Sequence, residues 1–321
     1  MRAGLIGAPA SVLAARGHRE GFAGSAWEDV RRQALRAGIG VGLDGTDVEA
    51  VLCPSHEESA PQVVAMRDGS TRRVMVHRVV YGDGAVRGTP LVRRGATLDD
   101  TRARALQQTW RRALVGAVSG VEEISIDVDP RMLGTHDLAM EGVAPAPSAA
   151  QEVDGLVAAT MRRLQQGSIA PDRARVAVQG LGGTAQALVR GLVAVGIGAS
   201  SGVTRDLCRL PLDVLLLAGG DRALTHEHAD AVRARAVVEA ASGAVSSVAE
   251  VALAYRGIPV VPDLVARAGA FATSTEGAAS LVTRAWDLAA RAARGGDLRQ
   301  GAIAAALREL AASRPLLTPV R

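Results

Sequence analysis

One change in the spacing of apolar positions marks the centre of the chain. Val176, Ala177 and Val178 are a short apolar run of the kind that forms a strand buried on both faces. From residue 186 to 195 the apolar positions are Leu188, Val189, Leu192 and Val193, spaced as on one face of a helix. Between the two stand Gly180, Gly182 and Ala185, a G-x-G-x-x-A spacing in the order strand, tight turn, helix. In a dinucleotide-binding unit the first glycine allows the turn and the second lets the backbone approach a pyrophosphate. The small third residue lets helix and strand pack closely. The phosphates would lie at the helix N-terminus, where unpaired N–H groups favour an anion. Gly180, Gly182, Gly183, Thr184 and Ala185 are therefore candidate cofactor-binding residues. The plain alternative is a glycine-rich turn that binds nothing.

Around this centre the pattern predicts two units. Residues 1–42 read as helical, with Trp27, Val30, Ala34 and Leu35 on one face. Strands are predicted at 48–53, 62–66 and 72–81, with Asp68-Gly69 as a hairpin turn. Thr97 caps an arginine-rich helix over 99–118, and a strand at 124–128 stops at Asp129-Pro130. A helical piece at 131–141 leads to the Pro/Ala/Ser linker 143–148. Beyond it a helix over 149–165 precedes the central strand, and further strands are predicted at 197–203, 214–217, 236–239 and 259–261. Residues 276–312 are Ala, Leu and Arg at helical spacing. The fold class is α/β with two domains: an N-terminal mixed-sheet domain over 1–145 and a Rossmann-like doubly wound domain over 146–275. C-terminal helices over 276–321 then pack back towards the first domain.

Composition narrows the chemistry. The chain has 321 residues, enough for two cores, and 48% of them are hydrophobic. Aromatics are 2%, so the cores are built from Ala, Val and Leu and there is no stacking platform for nucleic acid. All 37 basic side chains are arginine, and no lysine occurs anywhere, which removes Schiff-base, general-base and P-loop lysines. Two cysteines, Cys53 and Cys208, fit a reducing cytoplasm, and no apolar run approaches membrane-spanning length. His226 and His228 are two apart and do not face each other on a helix, so no metal site is expected there.

Four ordered blocks, VAVQGLGGTAQ, DVLLLAGGDRALTHEHA, VVEAASG and RGIPVVPDLVARAGA, resemble the cofactor domain of the glutamate, leucine, phenylalanine and valine dehydrogenase family over residues 176–276. That resemblance implies a substrate domain, a Rossmann-type domain and a cleft between them, where an L-amino acid is oxidatively deaminated with NAD or NADP. In the family one lysine activates water, another binds the substrate carboxylate and an aspartate acts as acid and base. The first half is similar more faintly. Thr109 to Gly116 resembles the helix with the carboxylate-binding lysine, and Arg111 stands at that position. The strand ending EEISIDVD makes Asp127 the counterpart of the acid, with Asp129 as the alternative. Arg87, in the glycine-rich segment 82–90, and Ser274 complete the implied substrate site, and Ser242 stands where the family has a cofactor-contacting asparagine. Equally, Arg111 and the aspartates are ordinary surface residues of a helix and a strand end.

Departures from the family redirect the reading. The catalytic-lysine segment has no counterpart, and arginine cannot serve as a base because its pKa is above about 12. The segment 199–213 is short where a Rossmann domain offers an acid to the ribose, and Asp206 has unconvincing spacing. The reading that follows is a repurposed enzyme acting on an amino-acid or imine-like molecule in the cleft, with Asp127 catalytic and Arg111, Arg87 and Ser274 on the substrate. The alternatives are an NAD(P)-dependent oxidoreductase, such as an imine reductase, and a non-catalytic ligand-binding or assembly protein. The cofactor is NAD or NADP, or none. Expected partners are an amino-acid-like small molecule and further copies of the chain, with no nucleic acid and no membrane.

Overall fold

The computed structural model describes residues 25–82, 86–87, 90–117, 120–133, 149–220 and 222–313. Two five-stranded sheets organise them. The first begins with helices α1 (Ala26–Gly40) and α2 (Gly45–Leu52), continues through β1 (His56–Ala65), β2 (Thr71–Tyr81), β3 (Val86–Arg87), β4 (Leu91–Val92) and α3 (Leu98–Leu114), and closes with β5 (Val121–Ile126). Its order is β1-β2-β5-β3, with β4 also on β5. Strands β1, β2 and β5 are antiparallel, and β3 and β4 run parallel to β5, so the sheet is mixed as expected. Strand β1 is an edge, which is where Pro61 is tolerated without losing a ladder hydrogen bond.

One predicted strand is a helix. Residues 48–52 belong to α2 and Cys53 is its C-cap, because Asp44 caps the helix by accepting from the Asp47 N–H at 2.7 Å and because Val48, Val51 and Leu52 recur at helical spacing and are all buried. Their apolar run reads equally well at either period when taken alone. Helix α3 also ends earlier than predicted, at Leu114, with Gly116 in a left-handed conformation (φ 79°). At its start Thr97 and Asp100 form a reciprocal capping box. Most of the predicted 131–141 helix, the linker 143–148 and the flank before residue 25 lie outside the described residues.

The second sheet follows α4 (Ala149–Gln166). It comprises β6 (Val176–Gln179), β7 (Ala199–Gly202), β8 (Val214–Leu217), β9 (Val237–Glu239) and β10 (Val260–Val261), all parallel in the order β10-β9-β8-β6-β7. Its connections are α5 (Gly183–Ala194), α6 (Thr204–Leu207), α7 (His226–Ala229), α8 (Ser247–Tyr255) and α9 (Asp263–Ala266). This is the Rossmann-like arrangement, with strands buried on both faces. The tail forms two helices, α10 (Thr275–Ala293) and α11 (Leu298–Ala312), which break at Arg294 and Gly295, both in the left-handed region. Helix α11 returns to α1 and α3, so one apolar core runs from Val30 and Trp110 through Leu188 to Leu307 and Leu310.

A close backbone crossing sits beneath the junction. A Cβ added at Gly155 of α4 would lie 2.8 Å from the Cα of Gly269, in the 3-10 turn Ala268–Phe271. Substituting Gly155→Val therefore forces the helix off this turn. Urea denaturation is expected to show a loss of about 1–3 kcal/mol, the usual cost of overpacking a core.

Candidate functional site

Between the two sheets the structure assembles a cluster of buried charges. Arg111, on the last turn of α3, is 2% exposed and donates to Asp263 at 2.8 Å and to Ser242 Oγ at 3.1 Å. Asp263 opens α9, and Ser242 follows β9. Arg267 donates to the same Ser242 Oγ at 2.7 Å and to Glu152 of α4. On the other side of Asp263, Arg299 of α11 donates to Glu239 at 2.7 Å and through Nε to both oxygens of Glu250. Glu239 in turn accepts the backbone N–H groups of Val245 and Asp263. Three arginines and four carboxylates thus tie α3, α4, β9, α8, α9 and α11 into one network.

Burial governs the electrostatics. Desolvation pulls the Arg111 guanidinium below its ordinary pKa, and the nearby Arg267 adds to that pull, against the attraction of Asp263. A guanidinium nevertheless stays protonated in a protein. Burial also pushes the Glu239 carboxyl up, opposed by Arg299. Burial raises Glu250 to about 7, again against Arg299. Although burial acts to lower it, Glu239, Glu250 and Asp263 hold Arg299 well above the usual arginine value.

Asp127 and Arg111 stand at opposite ends of one helix. Asp127 follows β5 and accepts the Gly95 N–H at 2.6 Å, just before the N-terminus of α3. Arg111 is on the last turn of the same helix, 14 residues beyond Thr97, which at 1.5 Å per residue is about 20 Å away. Ser274 caps α10, its Oγ accepting the Gly277 N–H at 3.1 Å. Asp129 pairs with its neighbour Arg131. The side chain of Arg87 lies outside the described residues. Among the described residues, Arg111 and Ser242 are the candidates joined by a side-chain hydrogen bond. His77 is buried between Ser59 and the Ala96 carbonyl, and among the described residues no cluster of metal-ligating side chains occurs.

The glycine turn is intact in shape. Gly180 has φ 124°, and an added Cβ would meet Ala185 and the Gly219 N–H, both at 3.3 Å. Gly182 and Gly183 face open space, and Gly182, the N-cap of α5, offers no side-chain cap. These features fit a pyrophosphate at the helix N-terminus. The ribose end fits less well: β7 ends at Gly202, exposed Val203 follows, and Asp206 is on the single turn α6. A bound nicotinamide nucleotide would supply a hydride acceptor, and Gly180 to Ala185 are the residues that would hold it.

Sequence reasoning missed Asp263, Glu239, Arg267 and Arg299. The available signal was a charge inside an apolar run, as in VVPDLVA and VVEAA, because such charges are buried only when paired.

Removing Arg111 leaves Asp263 buried without its closest cation, so Arg111→Met is expected to cost about 3–5 kcal/mol in urea denaturation. Combining it with Asp263→Leu is expected to recover most of that loss, whereas an exposed substrate ligand would change stability by within about 0.5 kcal/mol. Glu250 supplies a pH signature. It keeps its proton to about pH 7 when folded, against its ordinary 4.5, so folding takes up a proton between these values. Its contribution to stability is therefore most favourable below about 4.5 and falls as pH rises through 7. Thermal melts of Glu250→Gln across this range are expected to lack that decline.

Residues 198–313 match the family described as Glutamate/Leucine/Phenylalanine/Valine dehydrogenase. The NAD-specific glutamate dehydrogenase A of Halobacterium salinarum is 39% identical over 84 residues, 26% of this chain and 19% of that protein. The NADP-specific glutamate dehydrogenase of Synechocystis is 39% identical over 69 residues, 22% of this chain and 16% of that protein. The chain thus aligns with under a fifth of these curated relatives. Its fold extends much further: the hetero-hexameric glutamate dehydrogenase of Thermus thermophilus, in its Leu-bound form, superimposes with TM-score 0.78 and 22% identity over 92% of this chain and 98% of that one. The four sequence blocks, the parallel second sheet and these matches agree, and the chain is a member of the glutamate/leucine/phenylalanine/valine dehydrogenase family.

Proposed function

We propose that this chain is a non-catalytic member of its family, which keeps the two-domain scaffold for ligand binding and assembly rather than for amino-acid oxidation. The observation that carries this reading is the state of Arg111. The guanidinium that resemblance assigns to the substrate carboxylate is buried against Asp263 and Ser242, so a substrate could reach it only by breaking a desolvated ion pair. Two facts support it. The chain has no lysine to activate water, and Asp127 lies at the far end of α3 from Arg111. A cytoplasmic oligomer is the natural setting, built from copies of this chain or with a lysine-bearing relative. The hetero-hexameric assembly of the Thermus thermophilus glutamate dehydrogenase is a precedent for mixed chains on this fold.

The open glycine turn favours a second reading, an altered NAD(P)-dependent oxidoreductase or repurposed enzyme. Hydride transfer needs a positioned cofactor and substrate more than it needs lysine, and the turn retains room for a pyrophosphate.

Incubation with the twenty L-amino acids and either NAD or NADP, and the reverse assay with 2-oxo acids, ammonia and reduced cofactor, are expected to give no turnover above buffer. Sustained turnover that is lost in Asp127→Asn would overturn the non-catalytic reading. Fluorescence titration with NADH and NADPH separates the second reading: saturable binding that Gly182→Val abolishes supports a working cofactor site.

A further inference from the structure

The N-terminal end of the second sheet, opposite the end that carries the glycine turn, concentrates arginine. Two segments of the sequence Arg-Ala-Arg enter it, Arg173-Ala174-Arg175 before β6 and Arg233-Ala234-Arg235 before β9. In each the alanine is buried and both arginines are exposed. That is the alternation of an extended segment, with the alanine anchored in the core and the guanidiniums turned to water. Over residues 163–175, 208–213 and 230–235 there are six arginines and three aspartates, in a chain of 37 basic and 33 acidic side chains. Most of the net positive charge is therefore gathered at this one end.

Strand β8 lies between β6 and β9, and Asp213 is its entry residue. The Asp213 carboxylate accepts the Arg175 N–H at 2.9 Å and lies 3.6 Å from both Arg175 Nε and Arg235 Nη1. One buried carboxylate thus serves two guanidiniums that are 59% and 64% exposed, and it leaves most of their donors facing solvent. Arg173 and Arg233 make no side-chain hydrogen bond or ion pair among the described residues. Backbone bonds fix the surface that presents them: the Arg233 N–H donates to the Cys208 carbonyl at 2.8 Å and the Arg235 N–H to the Leu212 carbonyl at 2.9 Å. The Arg256 guanidinium holds the same loop by donating to the carbonyls of Ala229 and Val232. Arg163, on the last turn of α4, is a further cation here; burial lowers its guanidinium from the ordinary value and Arg235 adds to the effect.

Guanidiniums in pairs suit carboxylates and phosphates alike, and the apolar content of the surface separates the two. Leu210 is 44% exposed and lies between the Cys208 and Leu212 bonds, beside the second arginine triplet. None of the three segments holds Phe, Trp or Tyr, so no base can stack there, and a sugar–phosphate backbone offers Leu210 nothing apolar. A protein segment offers both carboxylates and apolar side chains. We propose that this end of the sheet, with Arg173, Arg175, Arg233 and Arg235 around Leu210, docks an acidic polypeptide segment of a partner protein that carries apolar residues between its acids. At about 4.8 Å per strand, Arg175 and Arg235 stand about 10 Å apart, which an extended segment spans with acids three residues apart. The glycine turn lies at the other end of the strands, so docking leaves it open.

Fluorescence anisotropy of the full chain with a fluorescein-labelled peptide of Glu-Leu-Glu repeats tests this. Saturable binding is expected, at least tenfold weaker on raising salt from about 0.01 M to about 0.15 M, where the Debye length falls from about 30 Å to about 8 Å. Arg173→Glu combined with Arg233→Glu leaves the Asp213 pairs in place, so it is expected to melt within about 2 °C of the parent and to weaken binding at least tenfold. Leu210→Ser is expected to weaken the Glu-Leu-Glu peptide while leaving an all-Glu peptide unchanged. Should the charge reversal lower the melt, Arg173→Gln combined with Arg233→Gln reads the same loss. No saturable binding at the lower salt, undiminished binding by either folded double variant, or tighter binding of duplex DNA or of phosphatidylserine vesicles than of the peptide would each overturn the proposal.

Discussion

A guanidinium withdrawn from water must be met by carboxylates, and that requirement holds the two halves of this chain together. Arg111 comes from the helix over the first sheet, Asp263 and Glu239 come from the ends of strands in the second, and Arg299 comes from the returning C-terminal helix. No element contains both members of the central pairs, so the charges are satisfied only when all of these parts are in register. Replacing such a cluster by apolar side chains is often neutral or stabilising, so its importance here is in fixing geometry more than in net stability. The Ala- and Leu-rich core that runs from α1 through α11 supplies the burial. The ions decide which arrangement of that core is allowed.

The same constraint separates the two functions that this fold usually combines. On the nucleotide side, Gly180, Gly182 and Gly183 leave the backbone approachable and the N-terminus of α5 uncapped. On the amino-acid side, the groups best suited to grip a carboxylate are engaged with the protein's own acids. Arg267 and Arg111 converge on Ser242, the position that resemblance assigns to a cofactor contact. The scaffold is that of its relatives, and fold by itself does not fix what the charges at the junction do.

Arginine is what makes this rearrangement physically coherent. A lysine buried at position 111 could shed its proton, and its pKa would move with its surroundings, as catalytic lysines do. An arginine cannot take that route, so it demands fixed counter-charges and hydrogen-bond acceptors in defined directions. A chain with 37 arginines and no lysine is therefore committed to positioned ion pairs wherever a cation enters its interior.

The sequence by itself determined the parallel second sheet, because strands buried on both faces are continuous apolar runs and Val214 to Leu217 is such a run, in alternation with helical segments. It determined the glycine turn, since only glycine suits φ 124° at residue 180, and it determined family membership through the four blocks around that turn. Local periodicity failed at residues 48–53, where the deciding contacts are with distant helices and with an Asp44 cap. Tertiary structure alone decided the site. Asp127 and Arg111 are only 16 residues apart in sequence, yet one full helix separates them in space, while Arg111 and Asp263, 152 residues apart, meet at 2.8 Å. Pairings between buried charges are long-range and carry no periodicity, so their partners emerge only when the chain has folded.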